Sequence, residues 1–111
     1  MFKKKNILVV GDIMLDKYSH GIVNRISPEA PVPIVDIKKT VFKPGGASNV
    51  AQNLSALGMS VTLLGITGDD SELKELIKVL RHTSITFDPV KDLSIRTTLK
   101  SRIRGNDQHL M

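Results

Sequence analysis

The chain has no cysteine and no tryptophan, and only one tyrosine and three phenylalanines among its 111 residues. Without thiols there is no disulfide, no thiolate metal site and no cysteine nucleophile, and the redox compartment is left open. So few aromatic rings argue against the stacking platforms that hold single-stranded nucleic acid. Long hydrophobic runs are missing too. The basic start MFKKKNILVVG carries only the apolar stretch Ile7 to Val10 before Gly11 and Asp12. That is too short for a signal-peptide core or a membrane span. The expectation is therefore a soluble, cytoplasmic protein with neither a membrane nor a nucleic-acid partner. His20, His82 and His109 are scattered without HxxxH or HExxH spacing, so no metal site is expected. Neither a P-loop nor a GxGxxG fingerprint is present.

Hydrophobic content of 41% and charged content of 24% suit one small globular domain with a modest core. The formal net charge is +5, from 16 Lys and Arg against 11 Asp and Glu. This balance favours anionic partners, and phosphorylated metabolites and nucleic acid qualify equally.

The hydrophobic pattern divides the chain into elements. NILVVG (6–11) is a short β-branched run that suits a buried central strand. GDIMLDKYSHG then places Asp12 and Asp16 at a loop-like strand exit. Pro28, Pro31 and Pro33 make the following stretch an irregular loop leading to an edge strand near Ile34 to Lys38, because proline cannot donate a ladder hydrogen bond. From Gly46 the period becomes helical, with Val50, Leu54 and Leu57 as the apolar stripe and Gly58 as the natural stop. SVTLLGITG (60–68) reads as a second apolar strand. DDSELKELIKVLRH reads as a second helix with Leu73, Leu76, Ile77 and Leu80 on one face, acids at its start and cations at its end. Residues 95–104 alternate with a period of two and put Arg96, Lys100, Arg102 and Arg104 on one face. The order of strand, extended excursion, helix, strand and helix is an α/β arrangement with a β insertion.

Three constellations could carry chemistry. At Gly45-Gly46-Ala47-Ser48-Asn49 a backbone without Cβ atoms allows close approach, and the first helical turn presents N–H groups to an anion or a hydroxyl cluster. Asn49 adds a donor and an acceptor. A plain helix-entry turn explains the glycines as well. Asp12 and Asp16 follow the first strand, where ligands bind in parallel α/β sheets; turn and capping roles are the alternative. The basic face could bind phosphate, or it could be a solvated edge that blocks aggregation.

GDIMLDKY, RISPEAPVPIV and KPGGASNVAQNLSALG, in that order and spacing, resemble the N-terminal part of the PfkB (ribokinase-like) sugar kinases. Within that family RISPEAPVP points to the kinases of D-glycero-D-manno-heptose 7-phosphate; a kinase of another sugar, or a non-catalytic module that binds a ligand or partner, is the alternative. The similarity continues through LLGITGDD to TTLKSRIRGNDQHLM. It implies the N-terminal part of a ribokinase-like fold, a parallel-sheet α/β core with a small β lid insertion at about 18–43. It also implies a role in the ADP-heptose route to the lipopolysaccharide core. Carried over, the sugar hydroxyls fall to Asp16, Asp12, Gly45, Gly46 and Asn49. Lys100 and Arg102 lie near the phosphorylated end, with Arg25 as a further candidate. The family's catalytic base lies in a later Gly-Ala-Gly-Asp motif, and no such motif occurs in these residues. The expectation is thus a truncated kinase region without a catalytic residue of its own. It would bind ATP and Mg²⁺ poorly alone and be completed by a C-terminal kinase chain or by self-association.

Overall fold

The computed structural model describes residues 5–26, 33–105 and 108–109; the side chains of 23–26, 33–36 and 108–109 lie outside that description. The described elements are β1 (Asn6–Val10), β2 (Ile13–Ile26), β3 (Pro33–Gly46), α1 (Ala47–Ala56), β4 (Ser60–Thr67), α2 (Ser71–Leu80), β5 (Thr86–Lys91), β6 (Thr98–Gly105) and β7 (Gln108–His109). They divide between two units, Met1–Asp16 with Phe42–Lys100, and Lys17–Val41 with Ser101–Met111. No helix among the described residues is long and apolar enough to cross a membrane.

The first unit is built on a parallel sheet of order β1-β4-β5. Asn6 to Val10 pair with Ser60 to Leu64, and Thr62 to Thr67 pair with Thr86 to Lys91. Parallel neighbours need crossover connections, and α1 and α2 provide them. Both helices pack on the same face, where Val61 and Leu63 of β4 form one core cluster with Ile13, Leu15, Ala51, Leu76 and Leu80. Each fully buried leucine there contributes roughly 2 kcal/mol of transfer free energy. The opposite face is open: Leu8, Val10, Ile66 and Val90 are all more than half exposed. Strands of parallel sheets are normally covered on both faces.

β5 is an addition to the sequence reading. Pro89 argues against a strand within TFDPVK, yet it pairs opposite Gly65 at the sheet's edge, where a missing donor costs no ladder bond on the outer side. α1 ends as expected, with Leu57 at the C-cap and the Gly58 amide donating to the Ser55 carbonyl at 3.0 Å. Its buried face differs from expectation. Ser48 and Ala51 are buried, whereas Val50 and Leu57 are about half exposed. Small residues let this helix approach β4 closely; of the expected stripe Leu54 packs against the core, and Val50 and Leu57 fall on the outer side. In α2, Leu73, Leu76 and Leu80 are buried as read, and Ile77 lies at the rim.

The second unit draws on a four-stranded sheet of order β3-β2-β6-β7. β6 and β7 are antiparallel, with Arg104 opposite His109. β3 takes the edge, and the predicted strand at Ile34 to Lys38 proves to be part of its fourteen residues. Two further corrections concern β2 and β6. Asp16 lies inside β2, not in a loop, because Ile13 and Leu15 are buried alternates and the acids flanking them, Asp12 and Asp16, obscure a period of two. β6 begins at Thr98, so Arg96 leaves the expected basic face; its guanidinium pairs instead with Glu72 at 3.0 Å. The middle of the proline-rich stretch, 27–32, lies outside the described residues.

Candidate functional site

The start of α1 is assembled from three directions. The Asp12 carbonyl accepts the Ala47 N–H at 2.8 Å, tying the turn after β1 to the first helical residue. Gly46 is the N-cap with φ 55°, a left-handed conformation that side chains rarely adopt, and a Cβ on it would meet the Asp12 carbonyl and the Met14 side chain. Gly45 is buried against the Asp16 carboxylate: a Cβ there would stand 2.5 Å from Oδ1. Asp12, Asp16, Gly45 and Gly46 therefore meet around one helix start.

This start is left open. No side chain caps it, and its first turn holds no acid. Asp16 Oδ1 and Ser48 Oγ are buried without a hydrogen-bond partner among the described residues. Leaving a buried acceptor unpaired costs about 1–3 kcal/mol, more for a charged group. Asn49 lies exposed in the same first turn.

Beside this group a cleft of about 580 Å³ opens past the C-terminal ends of β1 and β4. Asp12, Met14, Ile66, Asp92, Ile95 and Thr98 are among its walls. Asp92 was not singled out in the sequence, although the Asp-x-Ser spacing of an Asx turn was readable there. Its Oδ1 accepts both the Ser94 amide at 2.9 Å and the Ser94 hydroxyl at 2.7 Å. Those two hydrogen bonds hold the Asp92 carboxyl below its usual range.

The remaining candidates are placed separately. Lys100 is exposed in β6. Arg102, in the second unit, is half-buried and donates through Nη1 to the Tyr18 hydroxyl at 3.1 Å, with its guanidinium carbon 5.8 Å from the ring centroid. Arg25 lies in β2, and its side chain is outside the described residues.

The other helix start serves as scaffold. Asp70 Oδ1 accepts the Leu73 N–H at 3.0 Å, and Oδ2 accepts the Thr97 N–H at 2.8 Å. Burial pushes the Asp70 carboxyl up, but the Thr97 and Leu73 amides, the Thr97 hydroxyl and the Arg96 charge together hold it below its ordinary value. Glu72 is also lowered, by its own amide and the Ser71 hydroxyl, against a smaller opposing effect of burial and with help from Arg96.

No group of three His, Asp or Glu among the described residues is arranged to hold a metal ion.

Residues 4–110 match the pfkB family of carbohydrate kinases. A bifunctional protein HldE from Coxiella burnetii is 46% identical over 113 residues, covering 100% of this chain and 23% of that protein. A D-beta-D-heptose 7-phosphate kinase from Bordetella bronchiseptica is 44% identical over 108 residues, covering 97% of this chain and 34% of its own length. Among solved structures, a carbohydrate kinase from Agrobacterium tumefaciens superposes with a TM-score of 0.74 at 25% identity, over 98% of this chain and 34% of that one. Phosphofructokinase-2 from Escherichia coli shares the fold, with a TM-score of 0.62 at 22% identity. The chain thus spans 23% to 34% of the length of these curated relatives. Its α/β elements, its open helix start and its match over 4–110 agree: the chain belongs to the pfkB family of carbohydrate kinases.

Proposed function

We propose that this chain is the sugar-binding N-terminal region of a heptose 7-phosphate kinase, the enzyme class that phosphorylates D-glycero-D-manno-heptose 7-phosphate at the anomeric position. One observation carries the reading: the Asp16 carboxylate is buried against Gly45 with an unpaired oxygen, beside a helix start that no side chain closes. The name of the Bordetella relative supports heptose 7-phosphate as the sugar.

In this reading Asp16 accepts hydrogen bonds from sugar hydroxyls. Gly45 and Gly46 keep the backbone close enough for α1 to present its N–H groups, and Asn49 adds one donor and one acceptor. Asp12 contributes its carbonyl to the helix start and its carboxylate to the cleft. Lys100, Arg102 and Arg25 serve the phosphate, for which Arg offers a planar fork and Lys a point charge. The excursion at about 18–43 acts as a β lid, and the protein works in the cytoplasm on the ADP-heptose route to the lipopolysaccharide core.

Phosphoryl transfer also needs a positioned base and Mg-ATP. These 111 residues hold no Gly-Ala-Gly-Asp motif, so we assign both to the remaining part of the kinase. By themselves these residues bind the sugar without turning it over. The open sheet face with Leu8, Val10, Ile66 and Val90 is where that remaining part, or a second copy, would settle.

Titration calorimetry of the 111-residue chain with heptose 7-phosphate and with ribose tests the reading, paired with a kinase assay in Mg-ATP. Binding of the heptose phosphate, weaker binding of ribose and no turnover are expected. Equal affinity for both sugars would reject the substrate assignment. Turnover comparable with a full-length kinase would reject the division of labour.

A further inference from the structure

We propose that Asp92 is a further sugar-binding residue, whose carboxylate accepts a substrate hydroxyl in the cleft beside the start of α1; the inference rests on the sugar-kinase reading above. The cleft, of about 580 Å³, has the size of a small-molecule site. Asp12, Met14, Ile66, Asp92, Ile95 and Thr98 line it, and all six belong to the first unit. Asp92 follows directly on β5, so it stands at the carboxyl end of a parallel strand, the end where ligands bind in such sheets.

Asp92 is exposed to solvent, yet its backbone and side chain are both fixed. Its N–H donates to the Thr67 carbonyl at 2.8 Å, and its carbonyl accepts the Ile95 N–H at 3.3 Å. Oδ1 is occupied by the Ser94 amide and hydroxyl, while Oδ2 has no hydrogen bond among the described residues. One acceptor is thus held in place with its capacity unused, and a group ordered beforehand loses less freedom on binding. The Ser94 bonds also keep the carboxyl below its usual range, so near neutral pH it is ionised and can only accept. Asp12 lines the same cleft. Two acids there disfavour a phosphate and suit uncharged hydroxyls, and Met14, Ile66 and Ile95 offer apolar surface to the C–H groups of a sugar.

Asp92→Asn separates binding from structure. The amide oxygen still accepts both Ser94 donors, and only Oδ2 is exchanged, for an NH₂ donor. Calorimetry of the 111-residue chain with heptose 7-phosphate and with unphosphorylated heptose should show affinity falling about tenfold or more for both, the scale of a hydrogen bond to a charged group. The urea midpoint should stay unchanged. Among monodeoxy heptoses, one should bind wild type weakly and lose nothing further on Asp92→Asn. Unchanged or tighter binding by Asp92→Asn would overturn the proposal, as would a loss confined to the phosphorylated sugar or a deoxy series with no such member. Those outcomes leave the sugar-kinase reading standing as long as wild type binds heptose 7-phosphate. If wild type binds neither sugar, the reading and the proposal fall together.

Discussion

Two helices of the same length stand in one unit and begin in opposite ways. α2 is closed by its own carboxylates: Asp70 caps it at 3.0 Å, and Glu72 sits in its first turn. α1 has Gly46 at its N-cap, no capping side chain and no acid in its first turn. A carboxylate is nevertheless close by. Asp16 comes from β2, lies against Gly45 and keeps a buried oxygen unpaired. A side-chain cap stabilises a helix by about 1 kcal/mol, and α1 forgoes it. In the proposed reading the difference separates scaffold from site: the α2 start, which serves stability, is given its acceptor by the chain, and the α1 start is left with its donors open for a ligand.

The strongest way to break this comparison is to fill the space between Gly45 and Asp16. Gly45→Val should abolish measurable binding of heptose 7-phosphate, since its Cβ would lie 2.5 Å from Oδ1. Retained affinity in calorimetry would mean that the sugar does not approach this backbone. Asp16→Asn should lower affinity on the order of 10- to 100-fold, the scale of hydrogen bonds to a charged group. Its melting temperature should not fall, because the wild-type Oδ1 has no partner among the described residues to lose.

At the other helix the expected signs reverse. Asp70→Ala should cost about 1–2 kcal/mol in urea unfolding through loss of the cap, with affinity of the folded protein unchanged. The same carboxylate sets a pH dependence. Its folded-state pKa lies below the unfolded value, so its contribution is present above the ordinary carboxylate range and is lost as pH falls through the lowered folded value. Asp70→Asn should flatten the acid limb of a stability-versus-pH curve.

Asn49→Asp makes α1 resemble α2 more closely. An acid in the first turn should stabilise the fold by about 0.3–1 kcal/mol while removing the amide donor and weakening sugar binding. Glu72→Gln should have the smallest effect. Its partner Arg96 is 77% exposed, and exposed pairs are worth about 0.2–1 kcal/mol.

Much of this frame was readable in the residues. β-branched runs marked β1 and β4, Gly58 marked the end of α1, and the acids before Leu73 marked the start of α2. Misreadings arose where local chemistry hid periodicity. Asp16 disguised β2 as a loop, Pro89 disguised β5, and the alternation of 95–104 drew Arg96 into a strand it does not join. Of the stripe Val50, Leu54 and Leu57 only Leu54 packs on the core, because Ser48 and Ala51 are small enough to let α1 lie close to the sheet.

The sequence alone determined β1, β4 and the two helices, and it carried the glycine pair and acids that resemble those of the sugar kinases. These are local properties, set by propensity, period and the absence of a Cβ. Only the tertiary structure decided which groups remain without a partner. It placed Asp16 against Gly45, gave Arg96 to Glu72 and gave Arg102 to Tyr18. Each outcome depends on strand neighbours or contacts far apart along the chain, and the balance between a satisfied charge and an available one is settled by those contacts.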